Sequence, residues 1–330
     1  RQLCGKHDGA NQEGILMRIL VTGAYGFIGS KIVEKLCAMG HQVTAMDNSE
    51  TYGVITPEDL KKLYSYRQRN WPHVYRIPGD VSKSADVLRA FRPRPDYVIH
   101  LASYPRAKLV NADPMIGVQN VIGGTVNILW HAEKMPVKKV VFVSSSMIYG
   151  HFSDGTKEDA KTKPNNLYGE AKITAERFVK HYQSQFGVDY AIVRPSGVYG
   201  PGDMDDRVLS KFFQRAMNNE TIEVHDGDNR VDFTYLEDTA DGIIKATLSE
   251  EKNMSFNITA GNATSLRTAA EKIIALTGSD SDIVDTGAHK LYPRRGTLDI
   301  TRAKTLLGYE PKTSFDQGLE RYYEWLQNKI

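Results

Sequence analysis

Three glycines spaced three residues apart, Gly23, Gly26 and Gly29, separate two apolar segments near the start of the chain. The first segment, MRILVTG, is a short continuous apolar run, which is typical of a strand buried in a parallel sheet. The second, FIGSKIVEKLCAMG, has apolar residues at helical spacing and ends at Gly40, a residue suited to a helix C-terminus. The next run, HQVTAMDN, predicts a second strand that ends on Asp47.

This order of strand, glycine-rich turn, helix and strand, with an acid 18 residues past Gly29, favours dinucleotide binding. Glycines let the backbone approach a pyrophosphate, whose charge is stabilised at the helix N-terminus. Asp47 is placed to accept hydrogen bonds from the adenosine ribose hydroxyls. Because Asp47 is followed by Asn48 and Ser49, with no arginine to meet a 2′-phosphate, we expect the cofactor to be NAD and not NADP.

The composition excludes several other classes of protein. The chain has 330 residues, of which 41% are hydrophobic and 25% charged, as in ordinary globular proteins. Its formal charge is +2 and it has no basic block, so we expect no nucleic-acid or membrane-surface partner. No stretch approaches the ~18 consecutive apolar residues of a membrane span.

The first residues and the cysteines indicate the cellular compartment of the protein. Residues 1–14 lack the apolar core of a signal peptide, and we interpret them as an expression leader or a disordered extension ahead of Met17. Cys4 and Cys37 provide neither a disulfide framework nor a metal cluster. We therefore expect a cytoplasmic protein without a metal site.

Alternating strand and helix patterns continue through the first half of the chain. Further strands are predicted at 74–80, 96–103, 138–146 and 190–195, and helices at 82–92, near 115–135 and near 167–186. The strands are continuously apolar, so both faces should be covered by helices, which predicts an α/β fold with a doubly wound parallel sheet. Glycine, proline and aspartate cluster after residue 195, which favours a second, smaller domain.

We assign the chain to two interleaved domains, with the active site in the cleft between them. The dinucleotide-binding domain is predicted over residues 15–195 plus about 231–262, and the substrate domain over about 196–230 and 263–330.

Tyr168 and Lys172 stand four residues apart and therefore on one face of the predicted helix near 167–186. An ammonium close to a phenol favours the phenolate, so Lys172 is expected to lower the pKa of Tyr168 towards neutrality and make it a base. The spacing alone is common in amphipathic helices. Ser145 adds weight to it, because it lies at the end of a predicted strand, at the edge of the sheet where a nicotinamide would lie.

Nine motifs follow one another along the chain: TGAYGFIG (22–29), MDN (46–48), GDV (79–81), HLAS (100–103), SSSMIYG (144–150), YGEAK (168–172), RPSGVYGPG (194–202), RVDFTYLED (230–238) and DITRAKTLLGYEP (299–311). In type and order they resemble those of extended short-chain dehydrogenases/reductases, in the branch of NAD-dependent nucleotide-sugar epimerases and dehydratases that includes UDP-glucose 4-epimerase. The resemblance covers about residues 17 to 325. It implies a Rossmann-type NAD-binding domain and a smaller α/β domain that binds a nucleotide diphosphate sugar.

The resemblance also assigns roles to individual residues. It implies a catalytic triad of Ser145, Tyr168 and Lys172. The implied dinucleotide contacts are Gly23, Gly26, Phe27, Ile28, Asp47, Asn48, Asp80, Val81, Leu101, Ala102, Ser103, Tyr168, Lys172 and Pro195. The implied substrate contacts are Arg106, Ser145, Ser146, Ser196, Arg207, Arg230 and Arg295. Arg230 would hold the substrate's pyrophosphate, a role suited to a planar bidentate cation.

Three departures from the family pattern leave roles open. Ser196 stands where the family often has an asparagine that contacts the substrate. QNVIGGT has one residue more than the usual N-V-x-G-T, which leaves the role of Asn120 open. PRRGTLD replaces the usual Arg-Pro-Gly-Asp, so Arg294 and Arg295 compete for a second phosphate contact.

Two further arginines could determine which class of sugar the chain binds. Arg106 and Arg207 could meet a substrate carboxylate, which would favour a uronic acid. Alternatively, they are solvated or pair with nearby acids, which are Asp113, Asp205 and Asp206.

The residues at 145–147 bear on the reaction. The 4,6-dehydratases have Thr-Asp-Glu at the corresponding place and the decarboxylases Ser/Thr-Ser-Glu, whereas this chain has Ser145, Ser146 and Met147. The epimerase/reductase type depends on a cysteine near the serine, and neither cysteine lies there. The remaining Ser-Tyr-Lys set suits a 4-epimerase that acts on a UDP-hexose or UDP-hexuronate through a transient 4-keto sugar.

Two alternatives stay open. A dehydrogenase or reductase would use the same triad but release its product, and a dinucleotide-sensing protein would do no chemistry. The intact triad argues against the second. By resemblance we also expect a homodimer through the helices near 115–135 and 167–186.

Overall fold

The computed structural model describes residues 16–72 and 74–329 of the chain. The predicted leader at residues 1–14, with Cys4, lies outside the described residues. The described strands are β1 Arg18–Thr22, β2 Gln42–Asp47, β3 Tyr75–Pro78, β4 Tyr97–His100, β5 Lys139–Val143, β6 Tyr190–Pro195, β7 Val198–Tyr199, β8 Ile222–Val224, β9 Arg230–Val231, β10 Thr234–Tyr235, β11 Met254–Ile258, β12 Thr264–Ser265 and β13 Ile283–Asp285.

Seven of these strands form one parallel sheet in the order β11-β6-β5-β4-β1-β2-β3. The order reverses between β1 and β4, so the sheet has a topological switch point at which α/β proteins bind ligands. Every residue of β4, β5 and β6 is buried, as expected for strands covered on both faces. The predicted doubly wound, Rossmann-type α/β fold is therefore confirmed.

Helices cover both faces of the sheet. The described helices are α1 Phe27–Ala38, α2 Pro57–Arg67, α3 Ser84–Phe91, α4 Ala107–Ala112, α5 Pro114–Ile116, α6 Gly124–Lys134, α7 Leu167–Phe186, α8 Val208–Met217, α9 Leu236–Leu248, α10 Leu266–Thr277, α11 Thr301–Leu307 and α12 Phe315–Lys329. One apolar core joins the sheet to α1, α9 and α11, and a second joins its other face to α3, α6 and α7. None of the helices in the described part of the chain is long and apolar enough to cross a membrane.

A third apolar core lies in the C-terminal part of the chain. It joins α8, α10 and α12 to short strands, through side chains such as Phe213, Ile273 and Tyr322. Residues 300–309 do not belong to it, because Ile300, Ala303, Leu307 and Tyr309 pack in the core of the sheet. The division into two domains stays a prediction, and this packing places the 300–309 stretch with the sheet.

The helix predicted near 115–135 is interrupted. Residues Gly117–Gly123 form a π-helical segment between α5 and α6. A π-helical turn accommodates one extra residue within a helix, and this segment contains the first five residues of QNVIGGT. The side chain of Asn120 donates to the carbonyl of Ile116 at 3.0 Å.

Helix α2 has no counterpart among the predicted elements. Thr56 caps its N-terminus by accepting a hydrogen bond from the amide of Asp59 at 3.1 Å. Leu60, Leu63 and Arg67 form its buried face. The helix therefore directs an arginine into the molecule, towards the ends of the sheet strands.

Candidate active site

A cavity of about 1190 Å³ opens where the parallel strands end. It is lined by residues that follow β1 through β6 and, on the opposite side, by residues 196–231 and 292–295. Sites that hold one small ligand usually measure ~300–1,000 Å³, so this cavity has room for a dinucleotide and a second ligand. Every predicted site residue lines it except Arg230.

The glycine-rich turn forms one end of the cavity. Gly23 has a φ of +70°, and the amide of Gly26 donates to the carbonyl of Gly23 at 3.1 Å. A Cβ at Gly29 would lie 2.1 Å from that carbonyl oxygen, so the first turn of α1 packs directly on the glycine-rich turn. The first amides of α1 are left without a side-chain cap, an arrangement that suits a pyrophosphate.

Asp47 connects the end of β2 to the glycine-rich turn. Its carboxylate accepts hydrogen bonds from the amides of Tyr25 at 2.9 Å and Ser49 at 2.8 Å. Burial raises the pKa of Asp47, while these amides and the charge of Arg67 oppose the rise. Carboxylate oxygens accept more than one hydrogen bond each, so Asp47 retains the capacity to bind ribose hydroxyls.

Ser145 and Tyr168 are brought together by the packing of α7 against the turn after β5. Ser145 caps a 3₁₀ helix over Ser146–Tyr149, and its Oγ accepts from the amide of Met147 at 3.2 Å. Tyr168 lies in the first turn of α7. A Cβ at Gly169 would lie 2.7 Å from the carbonyl oxygen of Met147, so only a glycine there permits this approach.

Burial dominates the electrostatics of the candidate triad. It raises the pKa of the Tyr168 phenol, against the charge of Arg207 and the hydroxyls of Ser145 and Ser103. Burial also lowers the pKa of Lys172 to about 7, and its Nζ donates to the carbonyl of Val143 at 2.8 Å. The expectation that Lys172 lowers the pKa of Tyr168 is therefore wrong for this structure, because burial penalises the charged forms of both groups.

Several buried polar atoms of the cavity lack a hydrogen-bond partner within the described residues. Among them are Ser144 Oγ, Ser196 Oγ and Arg295 Nε. Buried polar groups are nearly always paired in folded proteins, so these atoms indicate that the cavity receives a polar ligand. Burial lowers the pKa of Arg295 to about 10, within the range where it stays a cation at neutral pH.

The structure does not bring Arg230 to the cavity. Its guanidinium forms an ion pair with Asp154 at 2.7 Å and donates to the carbonyl of Ala263 at 3.0 Å. The next residue, Val231, lines the cavity. Adjacent side chains of a strand point to opposite faces of the sheet. A shift of one residue in β9 would therefore exchange the side chain that faces the cavity for the one that faces away from it.

Arg295 is the arginine of the PRRGTLD stretch that reaches the cavity. Its Nε atom is buried there, whereas Arg294 is exposed and forms an ion pair with Asp226 at 2.9 Å. The candidate for a phosphate contact is therefore Arg295, and Arg294 faces outward.

The two arginines expected near the sugar have different surroundings. Arg106 is buried and forms an ion pair with Asp206 at 2.7 Å, one of the acids considered from the sequence. The side chain of Arg207 is 40% exposed, lies 4.0 Å from Asp203 and donates to the carbonyl of Pro105 at 3.3 Å. Arg207 thus has the more accessible guanidinium of the two.

Several residues that line the cavity were not expected from the sequence, among them Tyr52, Tyr64, Arg67, Asp203 and Tyr292. Burial raises the pKa of Asp203 to about 6, and it lowers the pKa of Arg67 to about 10. The spacing of Leu60, Leu63 and Arg67 is that of one helix face, so the burial of Arg67 could have been predicted.

Comparison with known proteins identifies the class to which this cavity belongs. Residues 19–259 match the model of the NAD dependent epimerase/dehydratase family. The chain belongs to that family, and its cofactor is NAD.

Individual relatives are similar over nearly the whole chain. A UDP-glucuronate 4-epimerase of Thermodesulfobacterium geofontis is 31% identical over 320 residues, which cover 94% of this chain and 96% of that protein. A UDP-glucose 4-epimerase of Mycolicibacterium smegmatis is 28% identical over 319 residues, with 95% and 99% covered. The crystal structure of UDP-glucuronic acid 4-epimerase from Bacillus cereus, in complex with UDP-glucuronic acid and NAD, has a TM-score of 0.88 at 25% identity and covers 95% of this chain and 100% of that chain.

Relatives at this level of identity do not all catalyse one reaction. A UDP-N-acetyl-alpha-D-glucosaminuronate decarboxylase of Bacillus cytotoxicus is 29% identical over 326 residues, which cover 94% of this chain and 98% of that protein. The comparisons therefore establish an enzyme of the NAD-dependent epimerase/dehydratase type, and the particular reaction has to be argued from the site.

Titration of Lys172 should make stability depend on pH. Its pKa is about 7 in the folded chain and ~10.4 when unfolded, so between these values the unfolded chain binds more protons and stability rises with pH. The difference in free energy of unfolding between the wild type and Lys172→Met should therefore shift in favour of the wild type as pH rises, by at most about 1.4 kcal/mol per pH unit. Urea unfolding from about pH 6 to about pH 9 measures this.

The control is Lys180→Met, which removes an exposed lysine of the same helix. A difference between the wild type and Lys172→Met that stays constant across this pH range would contradict the assignment.

Proposed function

We propose that the chain is an NAD-dependent nucleotide-sugar 4-epimerase that acts on a UDP-hexose or a UDP-hexuronate. The observation that carries the proposal is the convergence of Ser145, Tyr168 and Lys172 on one cavity, with Met147 beside them. Met147 is buried, and it occupies the position where the dehydratase and decarboxylase patterns have a carboxylate. Residues 145–147 therefore supply hydroxyls and a thioether but no acid or base for elimination.

Two aspartates on the opposite wall of the cavity support the same conclusion. Asp206 is held by Arg106 at 2.7 Å, and Asp203 is buried with its carboxylate bonded to the amide of Met204 at 2.8 Å. Both carboxylates are engaged within the protein, which argues against their use in dehydration of the sugar.

In the proposed mechanism each residue of the triad has one role. Tyr168, as the phenolate that the charge of Arg207 favours, takes the proton from the C4 hydroxyl and returns it on reduction, and the hydroxyl of Ser145 hydrogen-bonds the same oxygen. NAD supplies the acceptor and donor of hydride when it is bound. The sugar passes through a transient 4-keto form and turns in the cleft before it is reduced on its other face.

Other residues hold the two ligands in this proposal. The glycine-rich turn, Asp47 and the strand ends at Asp80 and Ala102 hold NAD, and Lys172 reaches its nicotinamide ribose. Arg295 meets the substrate's diphosphate, because its guanidinium retains a buried, unpaired Nε in the cavity.

We also propose a cytoplasmic location, because the sequence has only two cysteines and they provide no disulfide framework.

Loss of the Tyr168 hydroxyl should remove turnover and leave cofactor binding intact. Tyr168→Phe should lower kcat ~100-fold or more, because a positioned acid–base group contributes at least this much. Turnover and the Kd for NAD, measured by calorimetry, report the two effects separately. Tyr182→Phe makes the same change in α7 at a residue that packs against Phe186, and it should be fully active. A Tyr168→Phe enzyme with more than about a tenth of the wild-type rate would refute the role.

A panel of three substrates tests the reaction itself. The enzyme is incubated with UDP-glucose, UDP-N-acetylglucosamine and UDP-glucuronate, and the products are resolved by chromatography and NMR. Inversion at C4 with unchanged mass is expected for at least one of them. Loss of water or carbon dioxide would indicate a dehydratase or decarboxylase, and stoichiometric release of NADH would indicate the alternative dehydrogenase.

We also propose a homodimer through α5, the π-helical segment, α6 and α7. Large apolar side chains are exposed along these helices, among them Val118, Trp130, Phe178 and Phe186. Light scattering at micromolar concentration should therefore give twice the mass of the 37.0 kDa chain. Trp130→Glu together with Phe178→Glu should give a monomer, whereas Val284→Glu, at an exposed apolar residue elsewhere, should not. A monomeric wild type would end this proposal.

A further inference from the structure

Two buried arginines connect the residues 200–207 to the cofactor side of the cavity. This stretch, the 200–207 segment, runs from the end of β7 to the start of α8. Arg67, the last residue of α2, donates through Nε to the carbonyl of Gly202 at 3.0 Å and through Nη1 to the carbonyl of Tyr25 at 3.0 Å. One guanidinium thus joins the glycine-rich turn to the 200–207 segment.

Arg106 makes the second connection. It follows β4, and its Nη2 donates to the carboxylate of Asp206 at 3.1 Å, while its Nε lies 2.7 Å from the other carboxylate oxygen in an ion pair. Its Nη2 also lies 2.9 Å from the sulfur of Met204. On its other side the guanidinium stacks on the ring of Tyr52, 4.9 Å from the centroid, and that ring contacts Tyr104 at 4.8 Å.

The backbone of the 200–207 segment is shaped for these contacts. Gly202 has a φ of +88°, and a Cβ there would lie 3.0 Å from the ring of Tyr66 in α2. The segment therefore rests directly on α2, and its Gly202 carbonyl faces Arg67. Asp203 is buried in the same segment, and its charge is the main one that offsets the burial of Arg67.

Stability alone does not account for two buried arginines at this place. Taking a charge out of water is costly, and apolar replacements of buried ion pairs are often neutral or stabilising. Arg67 and Arg106 are 6% and 7% exposed, and both line the cavity. They fix the position of the 200–207 segment, on the substrate side, relative to the glycine-rich turn and the loop after β4, on the cofactor side.

We propose that Arg67 and Arg106 are positioning residues that hold the 200–207 segment closed against the cofactor side of the cavity and thereby slow the release of NAD. A bound NAD that leaves slowly is regenerated within each catalytic cycle. The inference rests on the proposed cofactor position and not on the epimerase reaction.

The test measures the release of NAD from the full-length protein loaded with NAD, with no sugar added. Arg67→Gln and Arg106→Gln each remove one connection. Release is followed after dilution by an enzymatic assay for free NAD, and amide hydrogen exchange is measured across residues 200–207. Each variant should release NAD about tenfold faster or more, the factor that a lost hydrogen bond to a charged group corresponds to, and exchange in the segment should be faster.

The matched control is Lys139→Gln. Lys139 is also a buried cation, and its Nζ donates to the carbonyls of Ser249 and Glu251 at 2.7 Å, away from the cavity. This variant should unfold at a lower temperature but release NAD at a rate within about twofold of the wild type. Equal acceleration in Lys139→Gln and the arginine variants would show that general destabilisation is the cause and would overturn the inference.

Lysine variants keep the test decisive if the glutamine variants do not fold. Arg67→Lys and Arg106→Lys retain the charge, but one ammonium does not reproduce the fork of a guanidinium. Faster release of NAD from both is expected, and unchanged release would overturn the inference. This test is independent of the epimerase assay, because the release of NAD is measured without any sugar.

Discussion

The close contact between the start of α1 and the glycine-rich turn is the constraint on which the cavity depends. The backbone of Gly29 packs on the carbonyl of Gly23, and Gly23 in turn approaches the amide of Ala102 after β4. These contacts exclude any side chain larger than hydrogen. They fix the end of β1, the first turn of α1 and the end of β4 relative to one another at the switch point of the sheet.

The same physical device positions the candidate catalytic groups. Gly169 allows α7 to lie on the turn that contains Ser145, so backbone packing alone places the phenol of Tyr168 beside the serine. The cost is desolvation, since the Lys172 ammonium is buried and the phenol is partly buried. Close packing of backbone therefore determines where the groups lie, and burial determines their protonation.

Much of this arrangement could be predicted from sequence, because it depends on local patterns. The apolar strands and helix 167–186 were predicted from periodicity and are confirmed, and the residues of the family motifs lie together in the cavity. What could not be predicted depends on register or on distant neighbours. Arg230 is turned outward by its position in a two-residue strand, and the low pKa of Lys172 results from burial by residues far away in the chain.

The π-helical segment leads into a helix that controls a buried histidine. The segment over Gly117–Gly123 runs directly into α6, which packs on the sheet. Thr125 donates to the carbonyl of Val121 at 2.6 Å and so accepts from Nε2 of His100 at 3.2 Å, while Nδ1 of that ring accepts from Thr22 at 2.7 Å. The hydroxyl of Thr125 in α6 thus sets the tautomer of a buried histidine of β4. A hydrogen bond made inside one helix therefore determines which nitrogen of a buried ring carries the proton.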